Sequence, residues 1–216
     1  MAIERIVSGI RPIGNSHLGD YDEVLKNWIE LQHEYECFFF VADWQALTTH
    51  YDSPEIIEES VLEMVIDWLA AGVDPAQVTI FIQSKVPEHA ELYTLLSMIT
   101  PLSWMEKFSA HKDQQGKPPS KDLSTYGFLG YPLLQSADIL IYRATQVPVC
   151  KNQLPHIEFT RDVARRFNHL YGKEKGYEVR AEEAIKKLGS KKGHLYRDLK
   201  KSYQEGGDEQ ALESAQ

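Results

Sequence analysis

Asp138 stands between Ala137 and Ile139 inside the apolar stretch GFLGYPLLQSADILIY. A carboxylate among such neighbours is costly unless a hydrogen-bond donor or a cation meets it. Two readings satisfy that demand. One is a structural partner from a neighbouring backbone or tyrosine; the other is an acceptor facing a small pocket. Tyr131, one to two turns earlier on the same expected helix, could bring a hydroxyl to such a pocket. The second candidate is GIRPIGNSHLGDY, Gly9 to Tyr21, just after the first expected strand. Its glycines permit close backbone approach, and a helix beginning near Gly19 would turn its N-terminal dipole toward an anion. A phosphate cradle and a ligand-free corner both fit, since Gly9, Gly14 and Gly19 match neither the dinucleotide fingerprint nor the P-loop.

Other polar residues read more plainly. His17, His33, His50, His89 and His156 lack metal-ligand spacing and read as surface or loop histidines. Arg161, Arg165 and Arg166 read as a solvated helix face rather than a phosphate grip.

The elements that must position these residues alternate in type. IERIVSGI, CFFFVAD and VTIFIQS are apolar runs of strand length, and QVPVC reads as a fourth short strand. Between them, YDEVLKNWIELQHEY carries apolar residues at helical spacing. DSPEIIEESVLEMVIDWLAAG opens with a serine cap and a proline, closes on glycine, and aligns Ile57, Val61, Met64, Val65, Trp68 and Leu69 in one stripe. EHAELYTLLSMI, residues 100–109, GFLGYPLLQSADILIY and LPHIEFTRDVARRFNHLYG are expected helices, and HKDQQGKPPSKDL an expected loop. Strands that are apolar throughout and alternate with helices predict an α/β fold with a parallel sheet covered on both faces. In such a sheet ligands bind beyond the carboxyl ends of the strands, where strand order reverses. Residues 1–172 form the expected main domain, and 173–216, charged and poor in aromatics, a helical appendage.

A chain of 216 residues, 43% hydrophobic, can bury one good core. No apolar run approaches the roughly 18 residues of a membrane span, and two cysteines make no disulfide framework. The N-terminus does not read as a signal peptide, so the expected compartment is cytoplasmic. The formal charge of −9 is uneven: residues 1–172 carry −10, while 173–216, with ten basic and nine acidic residues, carry +1. Neither a membrane nor DNA is an expected partner of so acidic a body.

SGIRP, HLG, LKNWIELQHEYECFFFVADW, ALTTHYD, FIQSKVPEHAEL, GFLGYPLLQSADILIYRA and PHIEFTRDVARRFN together resemble bacterial tryptophanyl-tRNA synthetase, over about residues 3–203. The resemblance implies a class I synthetase Rossmann-like fold, activation of an amino acid by ATP to an adenylate, and transfer to tRNA. It implies that Asp138 accepts the indole N–H, that Tyr131 and Gln153 hold the ammonium and carboxylate, and that Val149 lines the indole slot, with Gln135 in the same pocket. An acceptor in an apolar slot would select tryptophan over phenylalanine. Arg11, Gly14, His17, Gly19, Asp20 and Asn152 correspond to the nucleotide side.

That side departs from the family pattern. Asp20 stands where the HIGH-type signature ends in histidine or asparagine, Cys150, Lys151 and Asn152 replace the GED of GEDQ, and Gln45 replaces the histidine of DWHALT. The KMSKS loop and the anticodon-binding helical domain are not in the sequence, and residues after 172 resemble the insertion of long family members. The expectation is a truncated synthetase-like protein that binds L-tryptophan or a related indole, with activation weak or lost. Alternatives are a tryptophan–tRNA ligase fragment that needs its other half, and a regulatory or dimerisation module with a vestigial pocket. No cofactor is expected to bind tightly, ATP with magnesium enters only if the chain is active, and a homodimer is expected; whether tRNA binds stays open.

Overall fold

The computed structural model describes residues 4–14, 24–106, 125–149, 153–172, 176–206 and 209–215. The described residues divide between two compact units, Met1–Leu95 with Pro119–Thr160, and Leu96–Pro118 with Arg161–Gln216.

The first unit is built on a parallel sheet of β1 (Arg5–Ile10), β2 (Glu36–Val41) and β3 (Thr79–Ile82) in the order β1-β2-β3. Ile6 faces Cys37 and Gly9 faces Phe40 across β1 and β2, and Phe40 faces Phe81 across β2 and β3. Helix α1 (Lys26–Leu31) lies between β1 and β2; α2 (Asp43–Leu47) and α3 (Glu55–Ala71) lie between β2 and β3. A 3₁₀ turn, Gln83–Lys85, leads to α4 (Glu88–Ser97), and α5 (Tyr126–Ile141) and α6 (Leu154–Tyr171) follow.

Strand residues alternate between faces. Ile6, Cys37, Phe39 and Val41 pack with Leu25 at the start of α1, with Trp28 of α1, and with Met64 and Trp68 of α3. Trp28 stacks on Phe39 at 4.0 Å and meets Trp68 edge-on at 4.9 Å, contacts of about 0.5–1.5 kcal/mol each beyond simple burial. The opposite face, Val7, Phe40 and Ala42, is covered by Phe81, Tyr142 and Ala144. The continuous apolar strands thus have partners on both sides, as the sequence pattern requires.

Three local expectations need correction. The described residues of QVPVC, 146–149, make a single parallel bridge, Gln146 to Ile6, rather than a strand; Pro148 has no N–H to donate to a ladder. Ser53 does not cap α3, because its hydroxyl donates to Asp52 and Pro54 takes the cap position. Leu69 is exposed, so the buried stripe of α3 is Ile57, Ser60, Met64 and Trp68. The glycine stop is as expected: Gly72 ends α3 at φ 114°, and its N–H bonds to the Leu69 and Trp68 carbonyls. HKDQQGKPPSKDL lies outside the described residues.

In the second unit residues 102–106 are helical, and α7 (Tyr177–Lys187), α8 (Ser190–Gly206) and α9 (Glu209–Ala215) follow α6. Arg166 is half-buried rather than fully solvated: it donates to the Ile99 carbonyl and lies 5.9 Å over the Trp104 ring. Arg165 pairs with Asp162 at 2.8 Å, and Asp162 also accepts from the Tyr203 hydroxyl at 2.8 Å. Among the described residues no helix is long and apolar enough to cross a membrane.

Candidate functional site

The bridge between Ile6 and Gln146 sets Gln146 beside β1, on the side away from β2. Strand order therefore reverses between β1 and this segment, and the crevice beyond their carboxyl ends is where an open α/β sheet binds ligands. Arg11 and Gly14 follow β1 and are exposed; Val149 is half-buried, and Gln153 is exposed just ahead of α6.

The loops after β2 and β3 are tied together. The Asp43 carboxylate accepts from the Trp44 and Ser84 N–H groups, each at 3.0 Å, and the Gln45 N–H donates to Gln83 Oε1 at 3.4 Å. This clasp brings two glutamine side chains to α5. Asp138 is 1% exposed. Its Oδ1 accepts from Gln83 Nε2 at 2.8 Å and lies 2.6 Å from His89 Nδ1; its Oδ2 accepts from Gln45 Nε2 at 2.5 Å. His89 Nε2 lies 2.8 Å from the Tyr142 hydroxyl. One proton assignment satisfies the whole chain: Tyr142 donates to Nε2, and Nδ1–H donates to Asp138. Burial pushes the Asp138 carboxyl up, opposed by His89, Gln83 and Gln45 in that order. Burial, reinforced by the Asp138 and Glu88 charges, pushes Tyr142 up to about 12.

Tyr131 precedes Asp138 by two turns on the same face of α5. Its hydroxyl lies 2.7 Å from His156 Nε2 on α6. Burial pushes Tyr131 up to about 12, and the nearby Arg11 charge opposes that rise. Arg11, Tyr131 and His156 therefore converge from the β1 loop, α5 and α6. Gln135 sits half-buried one turn beyond Tyr131.

The profile of the tRNA synthetases class I (W and Y) matches residues 4–192. The chain belongs to that family. Tryptophan–tRNA ligase of Ralstonia nicotianae is 66% identical over 212 residues, covering 98% of this chain and 53% of that protein. The Thermotoga maritima tryptophan–tRNA ligase is 53% identical over 168 residues, 77% of this chain and 51% of the relative. Tryptophanyl-tRNA synthetase from Campylobacter jejuni, solved with ADP and tryptophan, superposes with a TM-score of 0.71 at 33% identity, over 78% of this chain and 51% of that one. The chain thus spans about half the length of the relatives it matches. Its fold is the class I synthetase Rossmann-like fold, and the tryptophanyl resemblance read from the motifs holds.

In this member of the family, His17, Gly19, Asp20 and Asn152 lie outside the described residues. The Gly14 N–H donates to Ser60 Oγ at 3.1 Å. Gln45, grouped with the nucleotide side in the sequence, directs its side chain to Asp138 instead. Two histidines depart from the surface-or-loop expectation: both lie on helices, His156 half-buried. His89 is wholly buried, and His156 bonds Tyr131. The signal for His89 was its spacing from Leu96, also buried, two turns on along α4. Gln83 carried no local signal, because it follows a strand and looks like any polar strand end. Among the described residues no three His, Cys, Asp or Glu side chains cluster to hold a metal ion.

Proposed function

We propose that this chain carries the amino-acid half of a tryptophan–tRNA ligase site and binds L-tryptophan or a close indole relative. The observation that carries the reading is the Asp138 carboxylate, buried in α5 and held by donors from the ends of β2 and β3 and the start of α4. A fixed, desolvated acceptor suits a ligand whose ring bears a single N–H, and it leaves a phenyl ring without a partner. Tyr131, Gln153 and Val149 take the ammonium, the carboxylate and the indole face, with Gln135 beside them. The relatives named as tryptophan–tRNA ligases, and the solved neighbour holding ADP and tryptophan, support the ligand class.

In the full reaction the tryptophan carboxylate attacks the α-phosphorus of ATP, pyrophosphate leaves, and the acyl group of the adenylate passes to tRNA. For this chain we propose that the first step is weak. Asp20 adds a negative charge beside the triphosphate, a repulsion of about 1–4 kcal/mol at roughly 4 Å. Asn152 offers the ribose a hydrogen bond without charge assistance. Arg11, Gly14, His17 and Gly19 remain to meet the phosphates, and magnesium would arrive with ATP. Self-association into a homodimer, residues 173–216 as a separate appendage, and any contact with tRNA belong to the same proposal.

Isothermal calorimetry with L-tryptophan and with L-phenylalanine tests the binding claim. Heat with tryptophan alone is expected; no heat at millimolar tryptophan refutes it. Tryptophan-dependent ATP–pyrophosphate exchange at a rate comparable to a full-length ligase would favour the active-fragment reading, which the 66% identity to the Ralstonia enzyme also supports.

A further inference from the structure

The two oxygens of Asp138 are not equivalent. Oδ1 meets Gln83 and His89, both 0% exposed and locked in the core. Oδ2 meets Gln45, which is only half-buried and sits on the five-residue helix α2. A carboxylate has about four lone-pair sites, so three donors leave one, and it lies on Oδ2. A donor arriving from outside the core must therefore use the oxygen that Gln45 already holds. The Gln45 carboxamide is also the one donor of the three with room to withdraw, because the other two are sealed on every side.

We infer that Gln45 is a specificity residue: its carboxamide competes with the ligand's ring N–H for Asp138 Oδ2 and so sets how strongly the site prefers an N–H ligand over an isostere without one. The inference rests on the proposed binding of tryptophan. In the free protein Gln45 satisfies Oδ2, and in the complex the ring N–H shares that oxygen or displaces the carboxamide. Where the carboxamide is displaced, part of the ligand's N–H bond replaces a bond that already existed; where both donors share Oδ2, each weakens the other. A side chain at position 45 that cannot donate leaves Oδ2 unsatisfied until the ligand arrives, and the whole bond then favours binding. Nothing in this exchange depends on the charge or shape of the ligand's amino-acid end, so the effect is confined to the N–H.

The test uses the intact 216-residue chain, L-tryptophan, and L-β-(3-benzothienyl)alanine, in which sulfur replaces the ring N–H. Dissociation constants for both ligands are measured by calorimetry on the wild type, Gln45→Met and Gln45→Ala. Methionine keeps the side-chain length without a donor, and alanine serves if methionine packs poorly; circular dichroism and thermal unfolding verify the fold of each. The expected result is a rise of roughly 5- to 10-fold in the preference for tryptophan in both variants, mostly through tighter tryptophan binding. An unchanged or reduced preference, with tryptophan still bound, overturns the role of Gln45 and leaves the tryptophan reading standing. Failure of every protein to bind either ligand overturns the tryptophan reading, and this inference with it.

Discussion

His89 and Asp138, 49 residues apart in sequence, form a completely buried pair with Nδ1 2.6 Å from Oδ1. The pair is enclosed by Phe40, Phe81 and Tyr142, whose rings lie 5.4–5.9 Å from the imidazole. A buried pair of this kind is not in itself strong evidence of stabilisation, but removing His89 takes from a buried carboxylate one of its three donors, leaving only Gln83 and Gln45. His89→Leu should therefore destabilise the protein by about 1–3 kcal/mol. His89→Gln, which keeps a donor, should lose less. Urea denaturation of both variants decides the matter; equal losses would show that the cost is one of shape alone.

The pH dependence of this centre has a definite sign. Burial raises the Asp138 carboxyl above its ordinary value of 3.8. A group raised in the folded state contributes stability that is complete below the unfolded value and is lost as pH rises through the folded one. Measured against Asp138→Asn, the wild type should therefore lose relative stability as pH climbs from below that ordinary value. Paired urea curves across a pH series check it, and a wild-type advantage that grows with pH contradicts it.

Ligand binding should run the other way. Protonated Asp138 gives up acceptor capacity, so tryptophan should weaken as pH falls, beginning above the usual carboxylate range because the carboxyl is raised. Calorimetric dissociation constants over the same pH series measure this. Affinity that is flat until the ordinary carboxylate range would place the N–H elsewhere.

Gly9 sits at the end of β1 where the site loop begins, and an added Cβ would lie 2.4 Å from Phe40 Cζ. Phe40 is itself buried between sheet and covering rings, so it has little room to yield. Gly9→Ala should cost about 1–3 kcal/mol. Adding Phe40→Leu should recover part of that loss, giving a non-additive double-mutant cycle. Strict additivity would mean that the strand shifts rather than the ring.

Cys37 is 1% exposed in β2, and burial pushes its thiol up to about 11. In the native protein it should resist iodoacetamide at pH 8, because neither thiolate nor access is available. Peptide mapping by mass spectrometry before and after denaturation reads this directly. Rapid native labelling at Cys37 would mean that the sheet opens locally.

The sequence alone determined the architecture, because hydrophobic periodicity is a local property. Runs such as CFFFVA, apolar on both faces, required cover on both sides of a parallel sheet: Trp28 and Trp68 meet Phe39 on one face, and Tyr142 stacks on Phe38 on the other. Local patterning also marked Asp138 as anomalous and Gly72 as a helix stop. Pairing of buried polar groups has no local period. Gln45, Gln83 and His89 lie 93, 55 and 49 residues from Asp138. They meet it only because adjacent parallel strands end side by side and Asp43 clasps the two loops that follow. Closure of the chain thus turned Gln45 from a supposed nucleotide residue into a partner of Asp138, and His89 from a supposed surface residue into its buried donor. The same closure reduced QVPVC to one bridge, because a proline cannot extend a ladder whatever the hydrophobicity of its neighbours.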